Sequence, residues 1–181
     1  MRNMGERSQR LRTVTHIGSS CSNAAGTPNL SSNEMEDDRS LVSLQMGLTE
    51  AIYKAESKFC RSAGRQRDTS GSTAVVACVR GDRLVVANVG DSRALYRDWS
   101  GRVTPLSVDH SAATNRSEKR RITAAGGFVR NGRVFGVLQP SRSVGDIDTK
   151  GHKRGVVTAD PEHHAVVVQL PPPELLGEEL P

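Results

Sequence analysis

The sequence predicts an α+β domain built on antiparallel strands, and three features carry that expectation. A stripe of Leu41, Leu44, Leu48, Ile52, Ala55 and Phe59 recurs at steps of three and four, as one face of an amphipathic helix does. Two Val-rich runs follow, "STAVVACVR" and "DRLVVANVG", meeting at Gly81-Asp82, a good hairpin turn. Further on, Asn131-Gly132 separates two short apolar segments, and this dipeptide is the strongest short-range hairpin signal.

Taken in order, residues 1–38 are polar, with almost no apolar periodicity, and are expected to form a disordered tail. The domain is expected over 39–170. Glu36, Asp37 and Asp38 stand at the start of the helical stripe, where acids suit the helix dipole. Gly64 marks the expected exit into the polar loop "RSAGRQRDTSGS". After the Val-rich hairpin, "SRALYRD" reads as a third strand, and Ser100-Gly101 turns it into "RVTPLSV". These runs are nearly continuous in apolar residues, so both faces need cover, from a second sheet or from helices. Asn115 with Glu118 resembles a capping box, with Ile122 and Ala125 facing inward and Gly126 ending the helix. "GVVTADPEHHAVVVQL" is expected to give two strands broken at Asp160-Pro161, and "PPPELLGEELP", residues 171–181, a surface tail.

Composition narrows the function. Of 181 residues 35% are apolar and only 3% aromatic, so Val, Leu, Ile and Ala must build the core. The net charge of +5 comes from scattered Lys and Arg, with no basic stripe or aromatic platform, which argues against nucleic acid. No apolar run reaches bilayer-spanning length, so no membrane crossing is expected. Three irregularly spaced cysteines match neither a zinc site nor a disulfide framework and fit a reducing, cytoplasmic or nuclear setting. Cys78, within a Val-rich strand, is expected as an inert core thiol.

Single residues raise sharper questions. In "VANVGDSRALY" an apolar strand ends on Asp91, a charge that costs free energy unless it faces water or meets positive charge. Asp109-His110 reads as loop structure, since no second ligand stands at metal spacing. His163-His164 alternate along a strand, so at least one faces water. Lys119, Arg120 and Arg121 read as a solvated helix face, with Arg121 pairing with a loop acid.

Six segments now stand in one order: "SGSTAVVA", "LVVANVGDSRALY", "LSVDH", "EKRRITAAGGFV", "RVFGVLQPSRSVGD" and "VTADPE". Together, from about Leu41 to Glu162, they resemble the metal-dependent protein serine/threonine phosphatases, the PPM or type 2C family. The resemblance implies an antiparallel β-sandwich with flanking helices and hydrolysis of phosphoserine and phosphothreonine in phosphoprotein substrates. Two Mg²⁺ or Mn²⁺ ions would activate a water for in-line attack, a role that hard cations with oxygen ligands fit. It places Asp91 beside the metal cluster and Asp146, at the end of "SRSVGD", close to the same region as an outer neighbour. Ser92 and Arg93 are expected to fix the turn by hydrogen bonds.

The departures are as informative. Such phosphatases carry a phosphate-gripping Arg, a Met-Glu-Asp and an Asp-Gly-His-Gly before the Ser-Gly-Ser-Thr segment. They continue after "VTADPE" to a Ser-Asp-Gly and an Asp-Asn that supply metal carboxylates. This sequence has no Asp-Gly-His, and Met35-Glu36-Asp37 reads as helix-capping acids rather than a remnant of that set. Confined divalent cations repel unless several carboxylates surround them, so tight binding of a metal pair is not expected. The expectation is a truncated domain, an inactive or impaired fragment of such an enzyme that is marginally stable, aggregates, or depends on a partner that completes it. The alternative is a non-catalytic pseudophosphatase that binds a kinase or phosphoprotein.

Overall fold

The computed structural model describes residues 32–98 and 101–168. In chain order these form α1 (Ser32–Gln66), β1 (Gly71–Ser72), β2 (Ala74–Arg80), β3 (Arg83–Val89), β4 (Leu95–Arg97) and β5 (Val103–Pro105). There follow α2 (Arg116–Ala124), β6 (Val129–Arg130), β7 (Arg133–Val134), β8 (Val144–Gly145), α3 (Ile147–His152) and β9 (Glu162–Val167). The mixture of helices with antiparallel strands is the α+β class the sequence predicts.

Helix α1 extends beyond the expected bounds at both of its ends. It begins at Ser32, so residues 32–38 are helical rather than tail; the remainder, 1–31, and the tail 171–181 lie outside the described residues. Acids between 34 and 38 favour the N-terminal end of a helix, which lets it start ahead of the apolar stripe. Gly64 does not stop it. The stripe continues to Ala63, which is buried, and the helix closes only when Arg67 takes a left-handed φ of 54°. The Asp68 N–H then donates to the Ala63 carbonyl at 2.9 Å, the long bond of a Schellman close.

The main sheet has the order β2-β3-β9, all antiparallel. Leu41 of α1 packs on Val85 and Ala165, and Ile52 packs on Ala87 and Val89. On the opposite face Leu84 and Val86 meet Val166, Val168 and Leu106, with Ala94 and Tyr96 of the β4–β5 arm beside them. Strand β3 is therefore buried from Leu84 to Val89, and this two-sided cover explains its unbroken apolar run. Each fully buried Val there contributes about 1.5–3 kcal/mol.

Strands β2 and β9 each pair only with β3 among the described residues. Exposed Val76 and Val79 show the consequence on β2, and Cys78, expected in the core, is only half-buried. A second core gathers Ile122 of α2, Val134 of β7, Val156 and Val157. Asn131 and Gly132 turn β6 into β7 with φ of 53° and 73°, the type I′ geometry that this dipeptide favours. The expected pair of strands around Asp160-Pro161 is one strand, β9; before it there is only a single bridge between Arg142 and Thr158.

One buried acid ties the second core together. Asn115 caps α2 by accepting from the Ser117 and Glu118 N–H groups, but the Glu118 carboxylate does not complete the capping box. It accepts instead from Arg142 at 2.7 Å, Arg121 at 2.8 Å and the Ser141 hydroxyl at 2.6 Å. Arg121 also donates to the carbonyls of Gly155, Val156 and Ser141, so three loop segments are held to one helix. Burial pushes the Glu118 carboxyl up, yet its hydrogen bonds from Arg142, Arg121 and Ser141 outweigh that and hold it far below the usual carboxylate range.

Glu118→Gln leaves Arg142 buried without its counter-charge and is expected to cost about 3–5 kcal/mol in urea unfolding. The depressed carboxyl fixes the sign of the pH dependence. Its contribution is fully present above the ordinary Glu value of 4.5 and is lost as pH falls below it towards the folded value. Wild type should therefore lose stability in acid, whereas Glu118→Gln should lose much less over the same range.

Candidate functional site

The sequence leaves β3 through Gly90, whose φ of 111° suits only glycine and whose missing Cβ would lie 2.3 Å from the Thr73 methyl carbon. This close approach packs the Gly-Asp-Ser-Arg turn against the end of β1. Ser92 Oγ then meets Thr73 Oγ1 at 2.7 Å, and Arg93 donates through Nε and Nη2 to both oxygens of Asp109, at 3.1 and 2.6 Å. Ser92 and Arg93 thus fix the turn, as the sequence suggested. The Arg93 guanidinium holds the Asp109 carboxyl below its usual value. Asp91 itself is half-buried and accepts from the Gln139 amide at 3.2 Å.

His110 anchors the same turn from beneath. Its ring is wholly buried, and Nδ1 accepts the Gly90 N–H at 3.1 Å. An acceptor at Nδ1 requires the neutral tautomer with hydrogen on Nε2, which faces Glu162 Oε2 at 3.1 Å. The bond from Nε2 in turn holds the Glu162 carboxyl below its ordinary value. The carbonyl of His110 accepts from both the N–H and the hydroxyl of Ser141. The loop reading of Asp109-His110 is right about position, but no local pattern signals that His110 orders the backbone just before Asp91. His163 and His164 are both half-buried, and His163 Nε2 lies 3.2 Å from Thr49 Oγ1.

Asp146 follows β8 and opens α3 in a left-handed conformation, φ 50° and ψ 46°, without a side-chain cap bond. Its N–H donates to the Ser70 carbonyl at 2.9 Å. Its carboxylate lies over Gly71, where an added Cβ would meet Asp146 Cγ at 2.3 Å. Gly71 pairs with Gly145 across β1 and β8, and a Cβ on Gly145 would strike the Ser70 carbonyl at 2.5 Å. Glu56 secures this corner by accepting from the Gly145 N–H at 2.7 Å and pairing with Lys150. The three residues Gly71 to Thr73 therefore touch both turns: Asp146 packs on one end, and Gly90 and Ser92 on the other. Extended chain puts those ends about 7 Å apart.

The donor set around these turns decides what they can hold. Hard divalent cations take six or more oxygen ligands, mostly carboxylates and waters. Among the described residues no three His, Cys, Asp or Glu side chains converge on one point. Asp91 is engaged with an amide, and Asp146 lies on a glycine. The described residues alone do not fit a pair of divalent ions.

The comparisons with known proteins agree with the motif order. A family model described as Protein phosphatase 2C matches residues 6–170. The chain is 48% identical over 112 residues to Probable protein phosphatase 2C 68 of Oryza sativa subsp. japonica, covering 60% of this chain and 30% of that protein. It is 40% identical over 121 residues to Protein phosphatase 2C homolog 2 of Hypocrea jecorina (strain QM6a), covering 64% and 27%. Protein phosphatase 1L of Bos taurus matches at 37% over 132 residues, covering 71% and 36%. This chain thus spans only about a third or less of these relatives.

Among solved structures, serine-threonine phosphatase 2C from Toxoplasma gondii shares the fold, with a TM-score of 0.61 at 23% identity over 78% of this chain and 51% of that one. A C. elegans sex determining protein gives 0.57 at 26% identity over 67% of this chain and 30% of its own. With the family model matching most of its length, this chain belongs to the protein phosphatase 2C family.

Proposed function

We propose that the chain serves as the central part of a protein serine/threonine phosphatase acting on phosphoserine and phosphothreonine in protein substrates. The observation that carries this reading is the meeting of the Gly-Asp-Ser-Arg turn and the Asp146 turn at Gly71–Thr73, in a chain of this family. Asp91 and Asp146 are the residues assigned to the border of a Mg²⁺ or Mn²⁺ site, with Asp146 the outer of the two. Gln139, His110 and Gly71 act through them: Gln139 holds the Asp91 carboxylate, His110 fixes Gly90, and Gly71 leaves room for Asp146.

The same reading assigns the domain to residues up to about 170 and a tail to 171–181. Two carboxylates do not balance two divalent cations, so turnover by this chain alone is impaired. Further carboxylates come from outside the described residues, on a partner or another segment that also covers the unpaired borders of β2 and β9. No helix among the described residues is long and apolar enough to cross a membrane. A cytoplasmic or nuclear location completes the proposal. The sparse donor set favours a second reading, a pseudophosphatase that holds a kinase or phosphoprotein without hydrolysing it.

Phosphate release from a phosphothreonine peptide, measured against Mn²⁺ concentration beside calorimetric titration of Mn²⁺, separates these. Slow release that rises with Mn²⁺, stops with EDTA and is lost in Asp91→Asn is expected. Two tightly bound ions with release matching a complete phosphatase would overturn the impairment. Saturable peptide binding with no release at any Mn²⁺ concentration would establish the second reading.

A structural variant checks the role of Asp146. Gly71→Ala displaces the carboxylate and should weaken Mn²⁺ binding about as much as Asp146→Asn does. An unchanged Mn²⁺ titration in both would remove Asp146 from the site.

A further inference from the structure

Helix α1 packs one face on the sheet, and among the described residues nothing packs over a second, adjacent face. Val42, Met46 and Tyr53 stand along it, 40%, 67% and 45% exposed, at helical spacing beside the stripe that packs on β3. With His163 of β9 they line a groove of about 880 Å³. Its far half is basic, walled by Lys54, Lys58 and Arg61. Lys54 pairs with Glu50, which also lines the groove, in an exposed i,i+4 pair. Tyr53 is held in place, its hydroxyl donating to Asp160 at 2.6 Å, which pushes its pKa up to about 12.

We propose that the chain's own last segment, residues 171–181, docks in this groove. The topology brings it there. Leu41 lies over Val85 and Ala165 while Ile52 lies over Ala87 and Val89, so β9, antiparallel to β3, ends beside the N-terminal half of the groove. Val168 is tied at that end by its N–H to the Asp82 carbonyl at 2.7 Å. Pro171, Pro172 and Pro173 lack the N–H groups that a strand ladder uses. From Gln169 to Pro181 an extended chain reaches up to about 40 Å. The groove face from Val42 to Lys58 rises only about 24 Å along the helix.

Chemistry matches in the same direction. The segment "PPPELLGEELP" carries Leu175, Leu176 and Leu180 for the apolar wall. It carries Glu174, Glu178 and Glu179, with no Lys or Arg, for the basic half. Two of its three acids, Glu178 and Glu179, come late in the segment, as the bases come late along the groove. The family match ends at residue 170, so this cover belongs to what the chain does not share with the family model.

Carbodiimide coupling, which joins a carboxylate directly to a nearby amine, tests the proposal on the full chain at low concentration. Links from Glu174, Glu178 or Glu179 to Lys54 or Lys58 within monomers are the expected result. They should be lost in the Glu174→Lys, Glu178→Lys, Glu179→Lys variant, and a synthetic 171–181 peptide should restore them on a chain ending at Leu170. Hydrogen exchange gives a second measurement: amides 42–61 should exchange faster in that shortened chain. Links found only in dimers would assign the groove to a second copy and overturn the proposal. So would the absence of links together with unchanged exchange, which leaves the groove to another protein. None of these readouts uses a metal or a phosphopeptide, so their outcome is independent of the phosphatase reading.

Discussion

Strand β3 must be kept from water on both faces, and most of the architecture answers that demand. Helix α1 covers Val85, Ala87 and Val89; the β4–β5 arm, with Leu106, covers Leu84 and Val86. Because cover comes from segments far apart in sequence, the chain at each end of β3 is fixed in space rather than left to a local loop. Gly90 and Asp91 inherit that placement, as does the start of β9, which runs beside β3 in the opposite direction. A site built at such a strand end is positioned by core packing and needs few interactions of its own.

The acids of this chain divide by how their charge is met. Glu118 is buried and answered by two guanidinium groups and a hydroxyl; its work is to lock α2 to the loops at 139–143 and 155–160. Asp109 is answered by Arg93 at the surface, where an ion pair adds little stability. Asp91 and Asp146 have no such cationic partner among the described residues, and one of them sits in a left-handed conformation. The left-handed conformation of Asp146 costs on the order of 1 kcal/mol, and its N–H bond to the Ser70 carbonyl helps to hold it there.

What the sequence disclosed follows from the range of the interactions involved. The α1 stripe, the Gly81-Asp82 turn and the Asn131-Gly132 turn depend on neighbours a few residues away, and all three are present. The motifs around Asp91 and Asp146 are local too, and the structure sets each acid on a turn. The missed features act across long separations. The capping pattern predicts Glu118 in a box and Arg121 on a loop acid, whereas Glu118 meets both Arg121 and Arg142. Helix α3 carries few apolar residues over its six positions and gave no periodic signal. The bond from Gly90 to His110, and the overlap of Gly71 with Asp146, exist only once distant turns have been brought together.

The tautomer of His110 has one further consequence. A ring that takes hydrogen from a backbone amide on one side and offers it to a carboxylate on the other relays polarity across the buried junction of two strands. Any change at Glu162, whether a substitution or the approach of a cation, alters the hold of the imidazole on the peptide plane between Val89 and Gly90. The first residue of β9 thereby acts at a distance on the acid that closes β3, without touching it.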